Sequence, residues 1–239
     1  MASKAGKPAV NKSDDPGSTA WQRRKNHRQA EILLAARKLI EEEGAARTSM
    51  LRIATAAGVS EATLYKYFDS KQDLVNQVLR EWARPFLARI AVELEHVTDL
   101  RSRLVLIAVR FLGSFDETPA LNRVFFQELR WSNYRGSPIH RLSQQFTDTV
   151  ITTIKAGIRD GEVRPDADPA LLRDMLFGGL EHIGLRTSLA GRPADVGSVA
   201  TACVDMVLFG ALVRPQGRDM PDELARLAAL IDRLEHASS

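Results

Sequence analysis

Between Ser60 and Lys71 the sequence SEATLYKYFDSK gathers hydroxyl, phenol and ammonium groups over about three helical turns. Groups of this kind bind phosphate oxygens without a metal or a nucleophile, and the candidates are Thr48, Ser49, Ser60, Tyr65, Lys66, Tyr67 and Lys71. Ala62 and Thr63 are small enough to let a helix start approach a base edge, and the Thr63 methyl suits a thymine methyl. Glu61 has two readings: it accepts from a cytosine amino group, or it merely favours the positive end of a helix. The chemistry in view is recognition of a polyanion. Bond-making chemistry finds no comparable support. The five histidines (His27, His96, His140, His182 and His236) are scattered without metal-ligand spacing. Cys203 stands alone, and neither a nucleophile motif nor a glycine-rich phosphate loop is present. The expectation is a protein with no catalytic residues, no metal and no cofactor, and therefore not an enzyme.

The recognition residues need elements to hold them. Met50, Ile53, Ala54 and Ala57 fall at i, i+3, i+4 and i+7, one apolar stripe behind a Thr48 or Ser49 cap. Gly58 ends that helix, Ser60 caps the next, and Leu64 and Phe68 give the second helix a buried face running to Phe68. Helix, glycine turn and helix at this separation form a helix-turn-helix, whose second helix enters the major groove of double-stranded DNA. Upstream, Leu33, Ala36 and Ile40 mark a first helix from about Asn26, stopped by Gly44. The acidic run Glu41 to Glu43 at its end is unfavourable beside the helix dipole and has no local explanation. Met1 to Ala20 is too polar to offset the entropy of ordering and is expected to be disordered. Seven Lys or Arg against two Asp in residues 1–28 leave +5 there and −2 in the remainder of a chain of net +3. A basic arm on a near-neutral body suits an anionic partner, or simply keeps a terminus solvated.

Beyond residue 73 no segment alternates as a half-buried strand does. Helical stretches run over 99–115, 119–131, 138–160, 169–189, 194–213 and 221–236, divided by Gly and Pro punctuation. The fold class is all-α: a basic arm (1–25), a three-helix helix-turn-helix domain (26–72), and a larger helical domain (73–239). No apolar run approaches the ~20 residues of a membrane helix. With one cysteine and no apolar leader, a cytoplasmic location is expected. Pro85, inside the long helix that starts near Ser70, is a candidate bend between the domains.

The stretch GAARTSMLRIATAAGVSEATLYKYFDSKQDL resembles the N-terminal DNA-binding domain of the TetR family of transcriptional regulators. The matching positions are Gly44, Thr48-Ser49, Ile53-Ala54, Ala57 to Ser60, Thr63 to Tyr65, Tyr67-Phe68, Lys71 and Leu74; Ala45 stands where the family often has an aromatic. The resemblance is close over residues 28–80. It implies a sequence-specific regulator, commonly a repressor, that binds a palindromic operator as a homodimer and carries a helical effector-binding and dimerisation domain. The greasy helices around Leu171 to Ile183 and Val199 to Phe209 suit such an interface, or burial within one subunit.

For the effector, Phe111, Phe115, Phe125, Phe126, Arg130, Trp131, Met175 and Leu176 are the candidates, with Arg135 nearby for an anionic head. Aromatics at helical spacing equally well make an ordinary core. FFQELRW, IKAGIRDGEVRPD and LLRDMLFGGLEHI resemble the corresponding domain of TetR-type repressors of fatty-acid degradation, which implies a long-chain acyl-CoA effector. Regulation of drug efflux or of another pathway is the alternative. A purely architectural DNA-binding protein would leave the chain beyond residue 80 without a purpose.

Overall fold

The computed structural model describes residues 16–129, 136–191 and 195–211. Among these residues the regular structure is entirely helical: α1 (Pro16–Glu43), α2 (Met50–Ala56), α3 (Glu61–Leu64), α4 (Lys71–Leu94), α5 (Leu100–Glu117), α6 (Pro119–Leu129), α7 (Pro138–Arg159), α8 (Pro169–Ala190) and α9 (Val196–Ala211). Arg130, Trp131, Arg135, the segment 1–15 and the expected helix at 221–236 lie outside the described residues. None of the described helices is long and apolar enough to cross a membrane.

Two expectations about helix ends are corrected. The first helix begins at Pro16, ten residues before the apolar period does, so residues 16–20 of the expected disordered segment are helical. Proline at the first position and the straight-chain run Gln22 to Lys25 favour helix without burial. Gln22 bonds Asn26 at 3.0 Å and Arg28 pairs with Glu31 at 2.8 Å, both at helical spacing. The recognition helix is shorter than expected. α3 ends at Leu64, after which Lys66 and Tyr67 donate to carbonyls three residues back, a tighter turn that still buries Phe68.

Serine and aspartate side chains start most helices: Ser49, Ser60, Ser70, Asp99, Ser137 and Asp168 each accept from a first-turn amide. Two apolar cores result. The first joins Ile32, Ile40, Ile53 and Leu64 to the first half of α4, and it continues into Leu121 and Val124 of α6 and Ile139 and Leu142 of α7. The second centres on α5, which packs against α4, α6, α7, α8 and α9. α4 belongs to both cores, with Ala83 in the first and Ile90 in the second, and Pro85 falls at the change-over. Lacking an N–H, Pro85 cannot give the Glu81 carbonyl its helical hydrogen bond.

Candidate functional site

The surface expected to meet a nucleic acid is organised around one glycine. Gly58 takes φ +63°, which L side chains rarely adopt, and turns the chain from α2 into the Ser60 cap within three residues. The Ser60 hydroxyl accepts from the Thr63 amide at 3.1 Å and lies 2.8 Å from the Thr63 hydroxyl, so the start of α3 and the Thr63 rotamer are fixed together. Ser49, Ser60, Glu61, Ala62, Tyr65 and Lys66 are exposed, while Thr63, Tyr67 and Lys71 are half-buried. The Lys71 ammonium is 3.5 Å from the Ala46 carbonyl, which ties α4 to the turn after α1. Thr48 departs from expectation: it is buried, its hydroxyl donates to the Gly44 carbonyl at 3.0 Å, and it closes the end of α1 instead of offering itself to a phosphate.

The extended α1 adds what sequence spacing missed. Arg24, Lys25 and Arg28 line one shallow groove with Thr63, Lys66 and Tyr67, so the basic run lies beside the recognition helix. The Lys25 ammonium sits 5.4 Å from the centre of the exposed Trp21 ring. The acidic run at the other end of α1 also finds its explanation. Arg37 bonds Glu41 at 2.9 Å, Lys38 approaches Glu42 at 4.0 Å, and Arg52 of α2 grips both oxygens of Glu43. Charges that disfavour the helix end thereby lock α2 onto α1.

A second site lies among α4 to α8, a cavity of about 570 Å³. Phe111, Phe125 and Phe126 line it as expected, joined by Phe86, Phe146 and Phe177, which the sequence reading did not single out. Phe111 stacks on Phe146 at 5.5 Å and meets Phe177 edge-on at 5.2 Å, so the wall is a continuous aromatic sheet. Phe115 stands one layer behind, stacked 5.4 Å from Phe126 and pressed on Gly184. The α8 residues that line the cavity are Arg173, Asp174, Phe177, Gly178 and Glu181, one helical stripe. Off that stripe, Leu176 is buried in the second core and Met175 is exposed, so neither borders the space. The signal for Phe177 was available in its three-residue spacing from Asp174 and four from Glu181.

The rim is hydrogen-bonded. The buried Asn122 amide donates to the Ser114 carbonyl, and Trp82, whose ring edges the cavity, donates to the Thr118 hydroxyl at 3.0 Å. Outside the cavity, Arg110 of α5 binds both oxygens of Glu93 on α4 at 2.7 and 2.6 Å, and this guanidinium holds the Glu93 carboxyl below the usual glutamate range.

The two sites share α6. Its Phe125 and Phe126 border the cavity, whereas Leu121 and Val124 lie in the core of the helix-turn-helix. Gln72, in the first turn of α4, donates to Glu128 of α6 at 2.7 Å, and α1 packs on α6 as well. Elsewhere, Met175 and Leu189 of α8 and Met206 and Phe209 of α9 are exposed apolar groups. Among the described residues no three His, Cys, Asp or Glu are grouped to hold a metal.

Comparison with known proteins agrees with this architecture. The family model for bacterial regulatory proteins of the tetR family matches residues 32–78, and that for the C-terminal region of YsiA-like protein matches 79–208. The fatty acid metabolism regulator protein of Bacillus subtilis (strain 168) is 23% identical over 189 residues, 79% of this chain and 97% of that protein. The transcriptional repressor KstR2 of Rhodococcus jostii (strain RHA1) is 27% identical over 192 residues, 78% of this chain and 92% of that one. The crystal structure of the regulator FadR from Bacillus subtilis in complex with stearoyl-CoA superposes with a TM-score of 0.68 at 23% identity, covering 76% of this chain and 98% of that chain. A helix-turn-helix in which Gly58 and Ser60 set the recognition helix, fused through α6 to a helical cavity domain, places this chain in the TetR family as a DNA-binding transcriptional regulator.

Proposed function

We propose that the protein is a homodimeric repressor that leaves a palindromic operator when a long-chain acyl-CoA fills the cavity among α4 to α8. The observation that carries the ligand class is the aromatic wall: six phenylalanines border one cavity of about 570 Å³, which suits an alkyl chain better than a polar metabolite. The complex of the Bacillus subtilis relative with stearoyl-CoA supports the same class. The exposed apolar groups of α8 and α9 are the face on which two copies pair. Two recognition helices then meet successive major grooves about 34 Å apart. Thr63 and Ala62 approach base edges, with Glu61 at the helix start, while Ser49, Ser60, Tyr65, Lys66, Tyr67 and Lys71 hold phosphates. Arg24, Lys25 and Arg28 extend that phosphate track along α1. Ligand that fits only the conformation with misplaced recognition helices lowers DNA affinity by its differential binding to the two states. Phe125 and Phe126, on the helix that also packs beneath the helix-turn-helix, give that difference a route.

The test is displacement. Acyl-CoA of increasing chain length is titrated against a preformed complex of protein and operator DNA. Each buried methylene contributes about 0.8 kcal/mol, so the releasing concentration falls steeply with length until the cavity is full. Release that is indifferent to length, or absent at micromolar ligand, overturns the ligand class and leaves the DNA-binding regulator standing.

A further inference from the structure

We infer that a groove between α4 and α7, lined by Arg80, Arg84 and Arg141, receives the phosphate-bearing headgroup of the effector. This rests on the acyl-CoA reading above and assigns the other half of that ligand. The groove, of about 530 Å³, adjoins the phenylalanine cavity, and Leu87 and Leu142 belong to the walls of both. Leu87 and Leu142 are thus the shared wall, and a chain that fills the cavity as far as that wall brings its headgroup to the edge of the basic groove.

Charge decides which way the headgroup points. Among the described residues the cavity is bordered by Asp148 and Asp174, with Arg173 as its one arginine, and that guanidinium is already bound to Asp174 at 2.6 Å. A phosphate placed there finds its one arginine already paired and the Asp148 carboxylate beside it. The groove has the opposite balance. Arg80 and Arg84 share the single carboxylate of Glu81, at 3.7 and 3.2 Å, and Arg141 donates to the neutral Gly136 carbonyl at 2.9 Å, which leaves its charge uncompensated by that bond. Gln145 and Thr149 add neutral hydrogen-bonding groups to the same wall. Guanidinium groups bind phosphate through paired N–H donors. The headgroup would link α4, which begins in the DNA-binding domain, to α7.

Palmitoyl-CoA, palmitate and coenzyme A are the three probes. Binding is followed by intrinsic tryptophan fluorescence, since Trp82 borders the cavity, and by calorimetry at two salt concentrations. In R80Q/R84Q/R141Q the Kd for palmitoyl-CoA is expected to rise about tenfold or more and its salt dependence to flatten, with palmitate affinity little changed. R80K/R84K/R141K restores part of the loss, because charge is kept while the paired donors are not. Equal palmitoyl-CoA affinity and salt dependence in the wild type and the glutamine variant overturns the headgroup site and leaves the acyl-CoA reading intact. Failure of the wild type to bind palmitoyl-CoA at micromolar concentration overturns both. Thermal melting reports whether each variant folds, and if the triple variant does not, R141Q alone is measured, with about a threefold loss expected and no loss counting against the site.

Discussion

The helix-turn-helix and the cavity among α4 to α8 use large apolar side chains in opposite ways. In the first, Ile32, Ile40, Ile53 and Leu64 are wholly buried, so a recognition element of only four α-helical residues stands on a filled core. In the second, Phe111, Phe125 and Phe146 are only partly buried and border empty space. A surface that reads DNA needs one geometry, and dense packing supplies it. A surface that admits a ligand must leave contacts unmade until the ligand supplies them. The same residue types therefore carry stability in one place and leave room in the other.

The widest separation is expected from truncating each region. Leu64 is the one buried residue of α3, so Leu64→Ala should cost about 2–5 kcal/mol and abolish operator binding together with fold stability. Phe146→Ala, facing existing space, should cost about 1–2 kcal/mol while moving the preferred acyl length upward. Denaturant titration beside ligand titration checks both, and equal costs would erase the distinction. A finer contrast lies within α8. A Cβ at Gly184 would come 2.6 Å from the Phe115 ring, whereas none lies within 4 Å at Gly178. Gly184→Ala should thus destabilise by about 1–3 kcal/mol, and Gly178→Ala should stabilise by about 0.5–1 kcal/mol. Thermal melts of the two variants should shift in opposite directions.

The smallest effect concerns the clamp outside the cavity. Because Arg110 lowers the Glu93 pKa in the folded state, the pair contributes stability above the ordinary glutamate range. That contribution is lost as pH falls through the lowered value. Glu93→Gln should accordingly flatten the acid side of the stability profile, seen in melting temperatures between about pH 6 and pH 3, without altering the neutral-pH ligand series. An unchanged acid limb would remove the clamp from the account of this region.

How much of each region was legible in the sequence follows from the same contrast. The helix-turn-helix is local: Ile53, Gly58, Ser60 and Leu64 lie within twelve residues, and spacing alone positions them. The cavity is built by five helices, so Phe86, Phe146 and Phe177 have no shared local pattern, and Phe115 and Leu176 were indistinguishable from lining residues by type. Met175 was misplaced because an exposed apolar residue on α8 carries no mark that separates it from a buried one. Thr48 shows the reverse error, a hydroxyl consumed by the Gly44 carbonyl four residues back. The helix from Pro16 escaped notice because apolar period reports burial, and that segment is helical by propensity and local pairing.

The first core crosses the border between the two family-model matches, drawing Leu121, Val124, Ile139 and Leu142 in with the recognition helices. Sequence modules and folding modules consequently differ here. A graft that exchanges only residues 16–78 for those of another regulator would sever that core along α6 and α7. The transplantable part includes the helices that floor it, so new operator specificity is better installed by rewriting the exposed side chains of α3 than by swapping the segment.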